Sequence, residues 1–333
     1  MDTERLRGAR IAVTGASGFA GGRVVDALVA RGAQVDAYGR RTEYRPGGAH
    51  YTRWDITDGP LPDAPRVDAL VHCAGMVTDW GDPALFHRCH VDGTRHVLAS
   101  FAEPCAVVHV STASVYDPRA SKRLLNENAP QARRYLNAYS ATKAIAERLV
   151  LARTQAIVLR PHALYGPGDR VLLPRLLDAY RGGRLLAAGD GTNRVSLTHV
   201  DNLVDAIVLA LQASLEQRAR GVYNIADAEA VVIDDALRAV LAATGREPRI
   251  VYLPRPLAYG LGALLELAHR GLALRRAPRL TRYRVVQVAD EYTLDLTRAR
   301  QELGYRPTRD LFAFIDGGGL RETPCAESYA SVA

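Results

Sequence analysis

Residues 10–29 read RIAVTGASGFAGGRVVDALV, and the order of residue types in that stretch decides the fold. A short apolar run rich in β-branched residues (10–14) reads as a strand, and RVVDALVARG further on reads as a helix. Gly15, Gly18 and Gly21 lie between them, spaced so that the backbone turns tightly and a helix N-terminus faces a ligand. Exposed amides and the positive end of a helix dipole suit a pyrophosphate. A glycine turn between a first strand and a first helix therefore points to a dinucleotide. Its cradle would be the backbone of Gly15, Ser17, Gly18, Phe19, Ala20 and Gly21.

Outward from this turn, AQVDAYGRR gives a second strand ending at Gly39, with Arg40 and Arg41 next. A carboxylate at that place holds a ribose 2′-hydroxyl, whereas arginines accommodate a 2′-phosphate. The expected cofactor is NADP(H) in preference to NAD(H); in the alternative, Asp36 reaches the ribose and the arginines are solvated. HYTRWDITD gives a third strand ending at Asp55, where the carboxylate and the neighbouring Ile56 would bond and cover an adenine. VDALVHCAG is a fourth, ending in Ala74 and Gly75, which are small enough for a cofactor to approach the backbone. CAVVHVSTASVYD is a fifth, entering a loop with hydroxyls at Ser111, Thr112 and Ser114, and AIVLRPHALYG is a sixth, carrying Pro161 and His162 to the same end. Strands alternating with helices imply an α/β fold, a Rossmann-type doubly wound parallel sheet with ligands across the strand carboxyl ends.

YSATK (139–143) heads a helical run. Tyr139 and Lys143, four apart, lie on one helix face. A phenol with a pKa of about 10 is a poor base at neutral pH, but a nearby ammonium favours the phenolate. Such a pair passes a proton to or from a substrate oxygen. The spacing alone is common in helices, so its weight comes from the glycine turn and the fifth-strand hydroxyls.

The chain has 333 residues, 48% hydrophobic, enough for one large core or two modest domains. No stretch of about 18 uninterrupted apolar residues exists, so no membrane-spanning helix is expected, and the charged MDTERLRGAR is not a secretory signal. Four scattered cysteines without CxxC spacing read as free thiols in a reducing cytoplasm, with no metal site. The net charge of +7 comes without a basic run or interleaved aromatics. That argues against nucleic acid, and an anionic cofactor accounts for it.

From Gly166 the pattern changes to helix, loop, helix and strand. The expected organisation is a dinucleotide-binding domain (1–162, with 195–225 returning to it), a smaller C-terminal substrate-binding region (163–194 and 226–315) and a flexible tail (316–333). The apolar segment 257–274, interrupted by Glu266, His269 and Arg270, reads as lid or core before membrane anchor. His199 and Asp201 would fix the join between the halves, while Tyr116, Tyr165 and Asp169 would serve packing and loop structure.

Together TGASGFAG (14–21), STASVY (111–116), YSATK (139–143), LRPHALYGPGD (159–169), HVDNLVDAI (199–207) and LGYRP (303–307) resemble the extended short-chain dehydrogenase/reductase superfamily. The likeness spans roughly residues 8–315, and the second half is most similar to the 3β-hydroxysteroid dehydrogenase-like branch. The resemblance implies Tyr139 as general acid/base, Lys143 on the nicotinamide ribose lowering the tyrosine pKa, and Thr112 polarising a carbonyl, with Ser111 as fallback. Dehydratases of the family carry an acidic pair where Ala113 and Ser114 follow Thr112 here. Sugar-nucleotide enzymes tend to have an asparagine near Ala163, which here stands between His162 and Leu164. Both departures favour an apolar carbonyl or alcohol. Ser114, His162, Ala163 and Arg194 are the substrate-side candidates, although His162 reads equally as strand-end packing and Arg194 as a surface arginine. His90 replaces the family's usual asparagine before VxGT, a change the sequence does not explain.

The expectation is a cytoplasmic NADP(H)-dependent ketone reductase or secondary-alcohol dehydrogenase acting on a polyketide-, steroid- or terpenoid-like molecule, with a homodimer formed through the helices after the fourth and fifth strands. The alternatives are a sugar-nucleotide epimerase that retains NAD and a non-catalytic dinucleotide-binding sensor or scaffold.

Overall fold

The structure, a computed structural model, describes residues 4–102, 105–272, 274 and 276–322. The first half alternates β1 (Arg10–Thr14), α1 (Phe19–Val29), β2 (Gln34–Gly39), β3 (His50–Arg53), β4 (Ala69–His72), α2 (Pro83–Phe86), α3 (Gly93–Ser100), β5 (Ala106–Val110), α4 (Ala138–Leu151) and β6 (Ala156–Pro161). The second half runs β7 (Leu164–Tyr165), α5 (Leu172–Ala179), β8 (Tyr180–Arg181), β9 (Arg184–Ala188), β10 (Arg194–Val195), β11 (Thr198–His199), α6 (Val200–Leu215), β12 (Gly221–Ile225), β13 (Val231–Val232), α7 (Ile233–Ala243), β14 (Ile250–Leu253), α8 (Arg255–Gly271), α9 (Arg282–Ala289) and α10 (Leu311–Asp316).

Seven parallel strands form the central sheet in the order β12-β6-β5-β4-β1-β2-β3. Successive strand residues point to opposite faces, and here both faces are buried. Ile11, Val13, Val71, Val108, Ile157 and Leu159 join the core beneath α1 and α6, while Ala12, Leu70, Val107 and Val158 join the core beneath α3 and α4. That is why these strands read as unbroken apolar runs. The chain leaves β1 toward β2 on one side and β4 lies on the other. The carboxyl ends of β1 and β4 therefore bound the crevice where such sheets take ligands.

The second half builds its own core from Tyr165, Leu173, Leu185, Ile233, Leu237 and Leu311, beside a three-stranded sheet, β14-β9-β8. These strands span two to five residues, too short for alternation to be read, so the sequence reading missed them. The expected boundaries are also corrected. Leu294, Leu296, Leu303 and Tyr305 pack in the main core rather than in a separate region, and the Tyr305 hydroxyl donates to the Ala226 carbonyl beside β12. Of the expected tail, Asp316 closes α10 and Leu320 is buried in the second core; residues 323–333 lie outside the described residues. Residues 257–271 of the segment 257–274 belong to helix α8, but Leu257, Leu261, Leu264 and Leu267 face outward, so the expected lid or core is not what these leucines form.

Two glycines make the turn after β1. Gly15 has φ +73° and its missing Cβ would lie 2.7 Å from the Ala74 amide nitrogen; that of Gly21 would lie 2.1 Å from the Gly15 carbonyl oxygen. Close approach of the two strand ends thus depends on bare backbone. Gly21→Ala is expected to cost about 1–3 kcal/mol through forced backbone shifts, read as a lower urea midpoint. Gly47→Ala, where a Cβ meets nothing within 4 Å, should leave the midpoint unchanged. Equal midpoints for the two variants would refute the packing argument.

Candidate active site

The site is assembled where β5 ends and α4 begins. Thr112 is buried and extended, and its hydroxyl oxygen caps the 3-10 turn Ala113–Val115 by accepting from the Ser114 amide at 3.1 Å. Asn137 caps α4, its side-chain oxygen accepting from the Ser140 amide at 2.9 Å. This sets Tyr139 in the first turn, half-buried, with its phenol on the side of Thr112, whose hydroxyl favours the phenolate. Ser111, the fallback, points to the other side of the chain and donates to Glu147. Thr112 is therefore the hydroxyl available to the site.

Glu147 is fully buried one turn beyond Lys143. It accepts two bonds from Arg160 on β6, at 3.0 and 2.7 Å, one from Gln131 at 2.9 Å, and the Ser111 hydroxyl. Charge-assisted, forked contacts of this kind fix geometry as well as contribute energy. They clamp α4 to β5 and β6 and so position the residues upstream.

Lys143 is buried too. Its ammonium donates to the Val110 carbonyl at 2.7 Å and to His109 Nε2 at 3.1 Å. Since Nε2 accepts, His109 carries its proton on Nδ1, which is buried without a partner among the described residues. The His109 ring lies 4.9 Å from that of His72. Burial lowers Lys143 to about 8, against the pull of the Glu147 charge, and burial with the lysine charge keeps His72 and His109 neutral. The Tyr139 phenol is pushed up by burial and eased down by the Thr112 hydroxyl. The Lys143 ammonium expected to lower it turns toward β5, onto Val110 and His109.

His90 now has a physical account. A π-helical turn (His87–Asp92) sits between α2 and α3, a feature that re-aims side chains. Thr142 gives its hydroxyl proton to the Ala138 carbonyl. His90 Nδ1 therefore donates to Thr142 at 2.8 Å, while Nε2 accepts from the Met76 amide at 3.0 Å. Burial lowers it to about 3 and keeps it neutral. It ties the loop after β4 to α4 and lays its ring edge-on to Tyr139 at 5.7 Å.

On the cofactor side, α1 begins at Gly18 without a side-chain cap, leaving its amides to an anion. Gly39 is packed so closely that a Cβ would sit 2.8 Å from the Ser17 hydroxyl. Arg40 and Arg41 are exposed beyond it, with Arg40 4.0 Å from Asp55. Asp36 is buried level with Ala12 and ion-paired to Arg10 at 2.7 Å, so the alternative in which it reaches the ribose is corrected. Asp55 lies beyond the end of β3 and accepts from the Thr57 amide and hydroxyl. Ile56 turns into the core against Gly93, with its carbonyl near His96. That placement corrects the expectation that it covers an adenine. Ala74 and Gly75 stand against the glycine turn and His90 respectively, and Pro161 ends β6 buried.

Among the substrate-side candidates, Ser114 borders a cavity. Its hydroxyl pairs with the Tyr283 hydroxyl at 2.8 Å. Tyr283, from α9, is close enough to Tyr139 to feel its charge; nothing in the sequence marked it. His162 stacks on Tyr292 at 4.0 Å and has both nitrogens engaged, by the Ser196 carbonyl and the Gln287 side chain, so its role is packing. Ala163 adopts φ +45°, an unusual value for a residue with a Cβ. Arg194 is exposed and donates to the Ala230 carbonyl, which makes it a surface arginine. This cavity is a throat of about 20 Å³ lined by Ser114, Tyr135, Ser140, Tyr283 and Tyr292. A larger cavity of about 580 Å³ among Arg119, Lys122, Arg134, Arg255, Tyr259 and Asp290 adjoins it, sharing Pro118, Lys122, Leu136 and Val286 as walls.

The sequence model of the NAD-dependent epimerase/dehydratase family matches residues 11–226. The chain belongs to that family. It is an oxidoreductase of the extended short-chain dehydrogenase/reductase type. The 2-alkyl-3-oxoalkanoate reductase of Stenotrophomonas maltophilia is 35% identical, covering 90% of this chain and 94% of its own. A 4-hydroxy-2-methyl-3-oxo-4-farnesyl-3,4-dihydroquinoline-1-oxide ketoreductase of Stigmatella aurantiaca is 33% identical, covering 89% and 91%. The solved structure of MoeE5 in complex with UDP-glucose and NAD superposes with a TM-score of 0.71 at 26% identity, covering 94% and 98%.

The clamp on α4 is directly testable. Glu147→Ala leaves Arg160 charged and buried without its partner and is expected to cost about 3–5 kcal/mol, measured by denaturant unfolding. Glu147→Gln should recover only part of that loss. Wild-type stability in the alanine variant would contradict the assignment.

Proposed function

We propose that the protein is an NADP(H)-dependent ketone reductase, equally able to run as a secondary-alcohol dehydrogenase, acting on a hydrophobic small molecule. The observation that carries this reading is that Thr112 at the end of β5 and Tyr139 and Lys143 at the start of α4 come together next to Ser114 and Ser140 of a throat walled by tyrosines. A carbonyl oxygen admitted there takes both the Thr112 and the Tyr139 hydroxyls. Thr112 supports the charge that develops on oxygen, and Tyr139, protonated at neutral pH because burial raises its pKa, delivers the proton. Ser114 and Tyr283, bonded to each other, close the opposite side of the throat.

The residues present fit a dinucleotide: Gly15 and Gly21 leave room that a Cβ would fill, and α1 offers an uncapped N-terminus. Ser17 to Gly21 would hold the pyrophosphate, Ala74 and Gly75 would flank it, and Lys143 would turn from Val110 and His109 to the nicotinamide ribose. Arg40 and Arg41, with a glycine in place of a carboxylate at Gly39, favour a 2′-phosphate. When bound, the reduced nicotinamide supplies hydride to the carbonyl carbon. Two relatives named as reductases of 3-oxo compounds support the direction of this reading. The absence of an acidic pair directly after Thr112, where Ala113 and Ser114 stand, speaks against dehydration.

Tyr139→Phe is expected to lower turnover of an apolar ketone by about 10²–10⁴-fold while leaving cofactor affinity, followed by nicotinamide fluorescence, nearly unchanged. Near-normal turnover would remove Tyr139 from the chemistry. In a separate comparison, kcat/KM should favour NADPH over NADH, and the double change Arg40→Ala, Arg41→Ala should erase most of that preference. A marked preference for NADH would overturn the cofactor assignment. NAD retained through purification without net turnover would mark an epimerase instead.

A further inference from the structure

Helix α8 carries its charge inward and its leucines outward. Ala258, Gly262 and Glu266, spaced four apart on one face, are buried against α9. Glu266 accepts from the Arg282 backbone amide at 2.7 Å and from its guanidinium at 3.0 and 2.7 Å. The opposite face presents Leu257, Leu261, Leu264 and Leu267, between 42% and 70% exposed, and Leu272 and Leu274 extend the patch past the helix end. A surface helix of a globular protein normally does the reverse. Rotation cannot correct it, because a Cβ on Gly262 would already lie 3.1 Å from the Arg282 backbone.

The rim of this patch is cationic. Arg270, Arg276 and Arg279 are exposed, and none has a carboxylate within ion-pair distance among the described residues. The Arg270 guanidinium stacks over Trp80 at 5.6 Å. The nearby carboxylates are committed inward: Glu266 to Arg282, Asp79 to Arg284, and Asp290 to Lys122 and Arg255. An apolar helical stripe edged by arginine and tryptophan is what lies in the plane of an anionic bilayer surface. No helix among the described residues is long and apolar enough to cross a membrane, so such contact would be peripheral. A second copy placed face to face about a two-fold axis would bring like-charged rims together. Arg255 and Tyr259 of the same helix also line the larger cavity.

We infer that the exposed leucine face of α8 seats on an anionic lipid surface and brings the cavity mouth to the bilayer. Seating stands on the helix alone; uptake of an apolar substrate from the bilayer rests on the ketone-reductase reading.

The test is co-sedimentation of the full chain with vesicles of phosphatidylglycerol and phosphatidylcholine, against phosphatidylcholine alone. Binding to the anionic vesicles is expected, weakened by added salt. It should fall at least about tenfold in Leu264→Glu, Leu267→Glu and less steeply in Arg270→Glu. Melting temperature and turnover of a water-soluble ketone should stay at wild-type values in these variants, so loss of seating and loss of the enzymatic reading are distinguishable. Absence of wild-type binding, or equal binding by the leucine variant, would overturn the inference. Sedimentation velocity covers the remaining outcome: a dimer dispersed by the leucine variant, without vesicle binding, would assign the face to a second copy.

Discussion

One buried carboxylate holds the geometry of the candidate active site. Glu147 has no exposed surface, and its four contacts reach β5 through Ser111, β6 through Arg160 and the preceding loop through Gln131. An isolated charge in that position would be prohibitively costly, and even a paired one gains little net stability over an apolar replacement. What it supplies is register. An apolar residue at 147 would pack as well in several rotations of α4, whereas the fork to Arg160 fits one. That rotation is the one that turns Tyr139 to Thr112 and Lys143 to the end of β5.

The same clamp sets the electrostatics around it. Three imidazoles, His72, His90 and His109, surround the Lys143 ammonium, and burial keeps them neutral. Each can then serve as a directed acceptor or donor instead of a competing cation. Thr94 gives its proton to the His90 carbonyl, so His72 donates to Thr94 and accepts from Thr14. The lysine keeps one negative neighbour, Glu147, which opposes the loss of its charge. Its lowered pKa records that burial outweighs this one partner. Held by Val110 and His109, the ammonium is parked one strand end away from the phenol and is free of any other carboxylate.

The parts legible in the sequence were those dictated by backbone and period. Glycines between an apolar run and an amphipathic run, strands buried on both faces, and a tyrosine four residues before a lysine need no tertiary information. The illegible parts depend on which side of an element a residue occupies after packing. Ser111 and Thr112 are adjacent and chemically alike, and only strand alternation against α4 separates them. Asp36 and Arg40 could each have met a ribose until the register of β2 on β1 placed the aspartate too deep. Tyr283 belongs to no motif and reaches the site from α9. In α8 the apolar count was visible, but the sequence could not say that Glu266 would take the inner face, since Arg282 lies sixteen residues away.

These contacts also constrain how the cavity works. Its throat, at about 20 Å³, is too narrow for a ketone and is bounded on one side by Tyr283, Val286 and Gln287 of α9. The other side is Tyr135, Leu136 and Ser140, where Ser140 belongs to the clamped helix α4 and cannot yield without disturbing Tyr139. On the proposed reading, admitting a ketone requires α9 to yield. That helix is bound to α8 through Arg282 and Glu266, with Gly262 in close contact. Arg284 joins the pair to Asp79 in the loop after β4 at 2.8 Å, and Asp290 joins it to Lys122 at 2.9 Å. Asp79 and Lys122 are almost fully buried in these two ion pairs, whereas the contact between α8 and α9 is close-packed backbone. The outward leucines of α8 thus sit on a helix pair that ion pairs fasten to the rest of the chain.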